Sequence, residues 1–173
     1  MKNRDKTSFH TLEIAPAGSF PNSILPVVHY PTVLKDFRND PHRIERLFFS
    51  HDWWGSWING IYSFDHFHST THEVLAVVSG KAKVRLGGPL GTEVELGLGD
   101  VIVIPAGVAH ARISSSMDFV VVGAYPEGKP WDLRRGNPEE LQVVLENIRA
   151  VPLPKTDPVY GYKGPLVEVW EEK

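Results

Sequence analysis

Residues 81–86 alternate charged and apolar side chains, with Ala82, Val84 and Leu86 between Lys81, Lys83 and Arg85. In an extended chain successive side chains leave on opposite faces, so the apolar three are expected to face a core and the cations water. Glycines at positions 87, 88 and 91 and Pro89 turn the chain. Residues 92–96 return with the same alternation, which predicts a hairpin. After the turn at Leu98, Gly99 and Asp100, residues 101–104 are apolar at every position, as are most of residues 119–125. Such runs suit strands covered on both faces. Two further apolar patches, residues 9–14 and 24–30, read as an irregular arm and an edge strand. Residues 166–170 read as a final strand.

Two segments carry helical signals instead. Asp40 can cap a short helix beginning at Pro41, and Asn137 one beginning at Pro138 and running to about Arg149. In the second, Leu141, Val144, Leu145 and Ile148 recur at helical spacing, and Glu139 and Glu140 suit the positive end of the dipole. Many short strands separated by Gly/Pro turns predict an all-β jelly roll barrel with two short flanking helices. One domain is expected over 1–173: an N-terminal arm and short helix (1–52), a barrel core (53–125), and a C-terminal helix with a closing strand (126–173).

Composition narrows the function classes. The chain has 173 residues, 42% of them hydrophobic, enough for one core. A formal net charge of −3 gives no basic face for nucleic acid. The absence of cysteine removes disulfides, thiolate ligands and cysteine nucleophiles together. Residues 1–6 are charged and lack the apolar stretch of a signal peptide, and no run is long enough to span a membrane, so a cytoplasmic protein is expected. The apolar flanks at 24–30 and 166–170 are expected to need a partner, which predicts a homodimer.

The candidate chemistry lies between Gly60 and His110. His66 and His68 are two apart, so on a strand both imidazoles project from one face, together with Tyr62 and Phe64. Glu73 is an odd number of residues from His68. It joins that face only if the chain bends across Ser69, Thr70 and Thr71; strict extension would bring His72 there instead. Pro105 and Gly107 end a strand and let the backbone swing His110 inward. Arg112 then shares a face with His110 and could grip a carboxylate or phosphate through its planar fork. The plainer reading of Arg112 is a solvated strand residue, and that of the five tryptophans is core or interface.

These residues resemble a known family. Gly60, His66, His68, Glu73 and Gly80 stand at the spacing of the first cupin motif, and Gly99, Pro105, Gly107 and His110 at that of the second. Ser114 stands where the second motif usually ends in asparagine, which is not a ligand. The flanks, including residues 70–75, 123–126, 131–133 and 157–161, resemble the single-domain YjlB-like cupins. The resemblance implies a double-stranded β-helix and places Glu73 rather than His72 beside His66, His68 and His110 as the fourth ligand. Three imidazoles and a carboxylate without sulfur suit a divalent transition metal: Fe(II), Mn(II), Ni(II) or Zn(II). On an octahedral ion two positions would stay open. The function this implies is dioxygenase-like oxidation of a small polar or anionic molecule. The alternatives are a metal-dependent isomerase or decarboxylase, or a small-ligand-binding cupin without catalysis, because one scaffold hosts unrelated functions.

Overall fold

The computed structural model describes residues 8–173; the charged stretch 1–6 lies outside the described residues. Among those described, nine strands build two antiparallel sheets. They are β1 (His10–Ile14), β2 (Ser23–Tyr30), β3 (Trp53–Asn59), β4 (Glu73–Ser79), β5 (Ala82–Leu86), β6 (Thr92–Leu96), β7 (Val101–Ile104), β8 (His110–Ser115) and β9 (Val120–Pro126). The larger sheet runs β1-β2-β7-β4-β9-β3 and the smaller β6-β5-β8. The helices are α1 (Pro41–Ser50), α2 (Leu141–Ala150) and α3 (Pro165–Glu171). This is the all-β jelly roll that the alternating pattern predicts.

Strand β4 shows why its residues are apolar throughout. Leu75 and Val77 enter a core between the sheets with Val84, Leu86, Leu96, Ile102 and Ile104. Val74, Ala76 and Val78 leave the opposite face for a second core with Phe48 of α1, Trp53, and Leu166 and Trp170 of α3. The large sheet is thus a middle layer, and its central strands are covered twice. In β5 the expected parity holds: Ala82, Val84 and Leu86 are buried, while Lys83 and Arg85 are only partly so. Asp40 caps α1 by accepting from the Arg43 N–H at 3.2 Å. Asn137 caps a 3-10 turn, Pro138–Glu140, that leads into α2.

Three expectations are corrected. Residues 9–14 are not an irregular arm; most of them form β1, the true edge of the large sheet. That leaves β2, expected at the edge, paired on both sides, with β1 and with β7. Residues 166–170 are helical. Pro165 occupies the first turn of α3, and Leu166 and Trp170, four apart, are both buried. The Trp170 indole N–H donates to the Pro26 carbonyl of β2 at 2.9 Å, so the two apolar flanks meet, while Ile24 stays exposed. Buried Asp157 secures the approach to α3. Its carboxylate accepts from the Leu166 N–H at 3.1 Å, from the Val159 and Tyr160 N–H groups, and from the Tyr30 hydroxyl. No helix among the described residues is long and apolar enough to cross a membrane.

Candidate metal centre

Residues 66–68 do not form the regular strand expected of them. They are held by isolated bridges, His66 to His110 on one side and Phe67 to Arg134 on the other. The His66 N–H donates to the His110 carbonyl at 3.2 Å and the His110 N–H to the His66 carbonyl at 2.9 Å. The Gly107 N–H, in the left-handed region at φ +95°, donates to the His68 carbonyl at 2.8 Å. A side chain at position 107 would meet the Asn22 carbonyl and Ile148 as well. These bonds keep the backbone extended enough for alternation: His66 and His68 turn to the barrel interior, and Phe67 packs outward with Ala109 and Val144.

The chain then bends through Ser69, Thr70 and Thr71, and β4 starts with Glu73 facing inward. His72 leaves on the opposite side of the sheet. Its ring lies 4.7 Å from that of Trp170, its Nδ1 accepts from the Ala106 N–H at 2.9 Å, and its Nε2 lies 3.2 Å from the Pro152 carbonyl. Both nitrogens are engaged away from the other histidines. Burial lowers its pKa to about 4.

The ligand nitrogens of His66, His68 and His110 all lie within 4.8 Å of one another, and all three residues are buried. In each ring Nδ1 faces a main-chain carbonyl: Phe64 at 2.9 Å, Asp132 at 2.6 Å and Val108 at 3.1 Å respectively. With Nδ1 as the donor, Nε2 keeps the lone pair, which is the arrangement a metal-binding imidazole needs. Glu73 reaches the group through two members, with Oε2 at 3.3 Å from His68 Nε2 and Oε1 at 3.3 Å from His110 Nε2. Two donors bound to one ion at about 2.1 Å lie about 3.0 Å apart in an octahedral arrangement and about 3.4 Å in a tetrahedral one. The two Glu73 separations fall in that range, and the three imidazoles beside it could hold a metal ion without cysteine.

The electrostatics fit as well. Burial, reinforced by His110, lowers the His66 pKa to about 3, so this ring is neutral and able to ligate. Burial opposes charge on both members of the His68–Glu73 pair, yet each stabilises the other. His68 is held above its ordinary value, and Glu73 well below the usual carboxylate range. A cation bound here would compete with any proton on His68 and would meet an ionised carboxylate in Glu73.

The centre opens on a cavity of about 700 Å³. Arg112 and Tyr62 line it. The Arg112 Nε donates to the Ile61 carbonyl at 3.1 Å and Nη1 to the Ser115 hydroxyl at 3.2 Å. Phe64 is placed differently. Its ring stacks on Tyr62 at 4.8 Å and carries the Arg135 guanidinium 3.8 Å from its centroid, instead of forming the wall.

Three residues of the site escaped sequence reasoning. Asp132 holds His68 by its carbonyl, and its carboxylate accepts from the Ser69 N–H at 2.6 Å, the Ser69 hydroxyl, and Arg134 Nε at 2.8 Å. Tyr125 accepts from the Trp57 indole at 2.9 Å, and its phenol is pushed up by burial and by nearby Glu73. Trp131 lies 5.4 Å from the His68 ring. Asp132 stands 64 positions from His68 and carries no ligand spacing of its own.

The geometry agrees with the comparisons to known proteins. A family model described as a cupin domain matches residues 59–123. The uncharacterised protein YjlB of Bacillus subtilis (strain 168) is 40% identical over 154 residues, which cover 88% of this chain and 91% of that protein. Among solved structures, an acireductone dioxygenase from Bacillus anthracis with cadmium in its active centre is 20% identical. The overlap takes in 51% of this chain and 60% of that one, with a TM-score of 0.38. The sugar 3,4-ketoisomerase QdtA from Thermoanaerobacterium thermosaccharolyticum overlaps 53% of this chain and 72% of its own, at 17% identity and a TM-score of 0.38. Both structural overlaps are partial and distant. The matched motif region and the relative aligned over most of its length establish that the chain belongs to the cupin superfamily, as a YjlB-like member.

Proposed function

We propose that this protein is a metal-dependent enzyme that oxidises a small molecule with dioxygen. On this reading His66, His68, Glu73 and His110 hold Fe(II), Mn(II) or Ni(II); Zn(II) fits the same donors but not the redox role. The observation that carries the proposal is the placement of the donors. Three imidazoles with lone pairs turned inward stand at the base of an open cavity. A metal serving only as a staple sits in a closed shell, and a core of this size needs no staple. A bound metal of this kind supplies Lewis acidity, electron transfer and coordination positions for oxygen and substrate.

The chain's own groups prepare the site. The carbonyls of Phe64, Val108 and Asp132 fix the ring tautomers, so no proton must leave the Nδ1 side when metal binds. Arg112 presents a cation at the cavity wall to an anionic substrate. Tyr125 keeps its proton, because burial and the Glu73 charge disfavour the phenolate. That held proton also favours a second reading, isomerisation or decarboxylation, in which a phenol at the cavity wall donates to a substrate oxygen.

Protein purified without an affinity tag and assayed by elemental analysis is expected to contain about one transition metal per chain. Oxygen-uptake screening against small acids then separates the readings. Uptake supports oxidation, and turnover without uptake supports the second reading. Binding with no turnover indicates a non-catalytic cupin. Unchanged metal content in both His66→Ala and His110→Ala would remove the site altogether.

A further inference from the structure

The cavity walls carry more information than the ligand set. Resting on the metal-centre reading, we infer that the natural ligand is a planar aromatic acid, one or two rings bearing a carboxylate, rather than a small aliphatic acid. Size is the first argument. A cavity of about 700 Å³ lies within the range of about 300–1,000 Å³ used for drug-sized ligands, and an acid of two to four carbons would leave most of it filled with water.

The second argument is the composition of the walls. Trp57, Tyr62, Phe119, Tyr125 and Trp131 supply aromatic surface. Among the described residues, the acidic and guanidinium side chains lining the space are Glu73, turned to the histidines, and Arg112. Polar side chains line it too, among them Asn59, Ser115 and Ser116. An extended cation would find no free carboxylate.

The third argument is placement. Trp131 stacks with Tyr125 at 6.4 Å and an interplanar angle of 23°, and meets the edge of the His68 ring. It remains 48% exposed, so a broad indole surface beside a metal-ligating residue is left for a partner. Arg112, which lines the same cavity, follows His110 by two residues on β8, about 7 Å along the strand. Its guanidinium plane is fixed by Ile61 and Ser115, and its Nη2 has no hydrogen-bond partner among the described residues. A flat ring against Trp131 with its carboxylate toward the metal and Arg112 satisfies both walls at once. Arginine suits that role because its planar fork matches a carboxylate.

The test uses intact protein whose metal content has first been measured, with 2-naphthoate and succinate as probes in calorimetry. Naphthoate is expected to bind at least about tenfold tighter than succinate. Trp131→Ala should lose about fivefold to tenfold for naphthoate, with succinate affinity and metal content unchanged, and Trp131→Phe should recover most of that loss. Arg112→Lys should weaken both acids. Equal binding of the two probes, or naphthoate affinity indifferent to Trp131→Ala, overturns the inference while the metal centre stands. A preparation that takes up no metal overturns the reading beneath it instead.

Discussion

Glu73 and His72 are neighbours whose side chains leave the sheet on opposite faces, and the whole reading of the site depends on which one faces the histidines. The bend at Ser69–Thr71 decides it, and nothing in the spacing of the histidines announces that bend. Glu73→Gln, which keeps shape but removes charge, is expected to weaken metal affinity. His72→Gln is expected to leave metal content intact and to cost about 1–3 kcal/mol of stability through the buried bonds it loses. Titration with metal beside denaturant melts checks both, and the reverse ranking would refute the assignment. His72 also sets a pH dependence. Its folded pKa, about 4, lies below the ordinary value of 6.5. As pH falls through that window the unfolded chain binds the proton first, so stability declines between about pH 6.5 and 4 and this contribution is flat below. A full loss from this residue amounts to about 3 kcal/mol. Chelated wild-type protein should lose more stability than His72→Gln between pH 7.5 and 4.5. An equal decline in the two would assign the effect to other groups.

At the level of elements, legibility followed periodicity. Strands β5 and β6 could be read because one face is wet and the other dry, which writes an alternation into the chain. Strand β7 could be read because burial on both faces leaves no polar position. The segment of helix α3 is ambiguous in sequence for a physical reason: Leu166, Val167, Val169 and Trp170 around Glu168 fit both a short strand and one helical face. The discriminating signal was Pro165 at the first helical position. Trp170 then anchors α3 to β2 and covers the back of His72. Trp170→Ala is expected to cost about 3–5 kcal/mol, measurable by urea denaturation. A loss below about 1 kcal/mol would mean that α3 is only loosely docked.

For the whole molecule, the centre joins the two sheets. Glu73 opens β4 of the large sheet and His110 opens β8 of the small one, with the 66–68 segment bridging to β8. A metal there binds only the folded barrel, so it should stabilise it by about 4 kcal/mol when free metal stands 1,000-fold above the dissociation constant. For a chain of this length that is a rise of roughly 8–16 °C in melting temperature. Calorimetry before and after chelation measures it, and an unchanged melting temperature in protein of proven metal content would mean that the ion does not bridge the sheets. The three histidines that the structure brings together, and Glu73 beside them, were legible because all four fall within two short motifs. The far wall of the cavity was not, since Trp131 and Tyr125 reach the His68 ring only through tertiary contacts.

The grip of Asp132 on His68 and Ser69 carries one more consequence. The portable unit in this protein is longer than the segment that bears its ligands. If residues 59–123 alone were grafted into a foreign barrel, the four donors would travel but the carbonyl that orients the His68 ring would stay behind. The graft would present a histidine free to swing, and should hold metal less tightly than a graft extended through Arg135. Inheritance of this centre is therefore tied to the stretch after β9, and exchanges between related chains that cut at Pro126 should be the ones that fail.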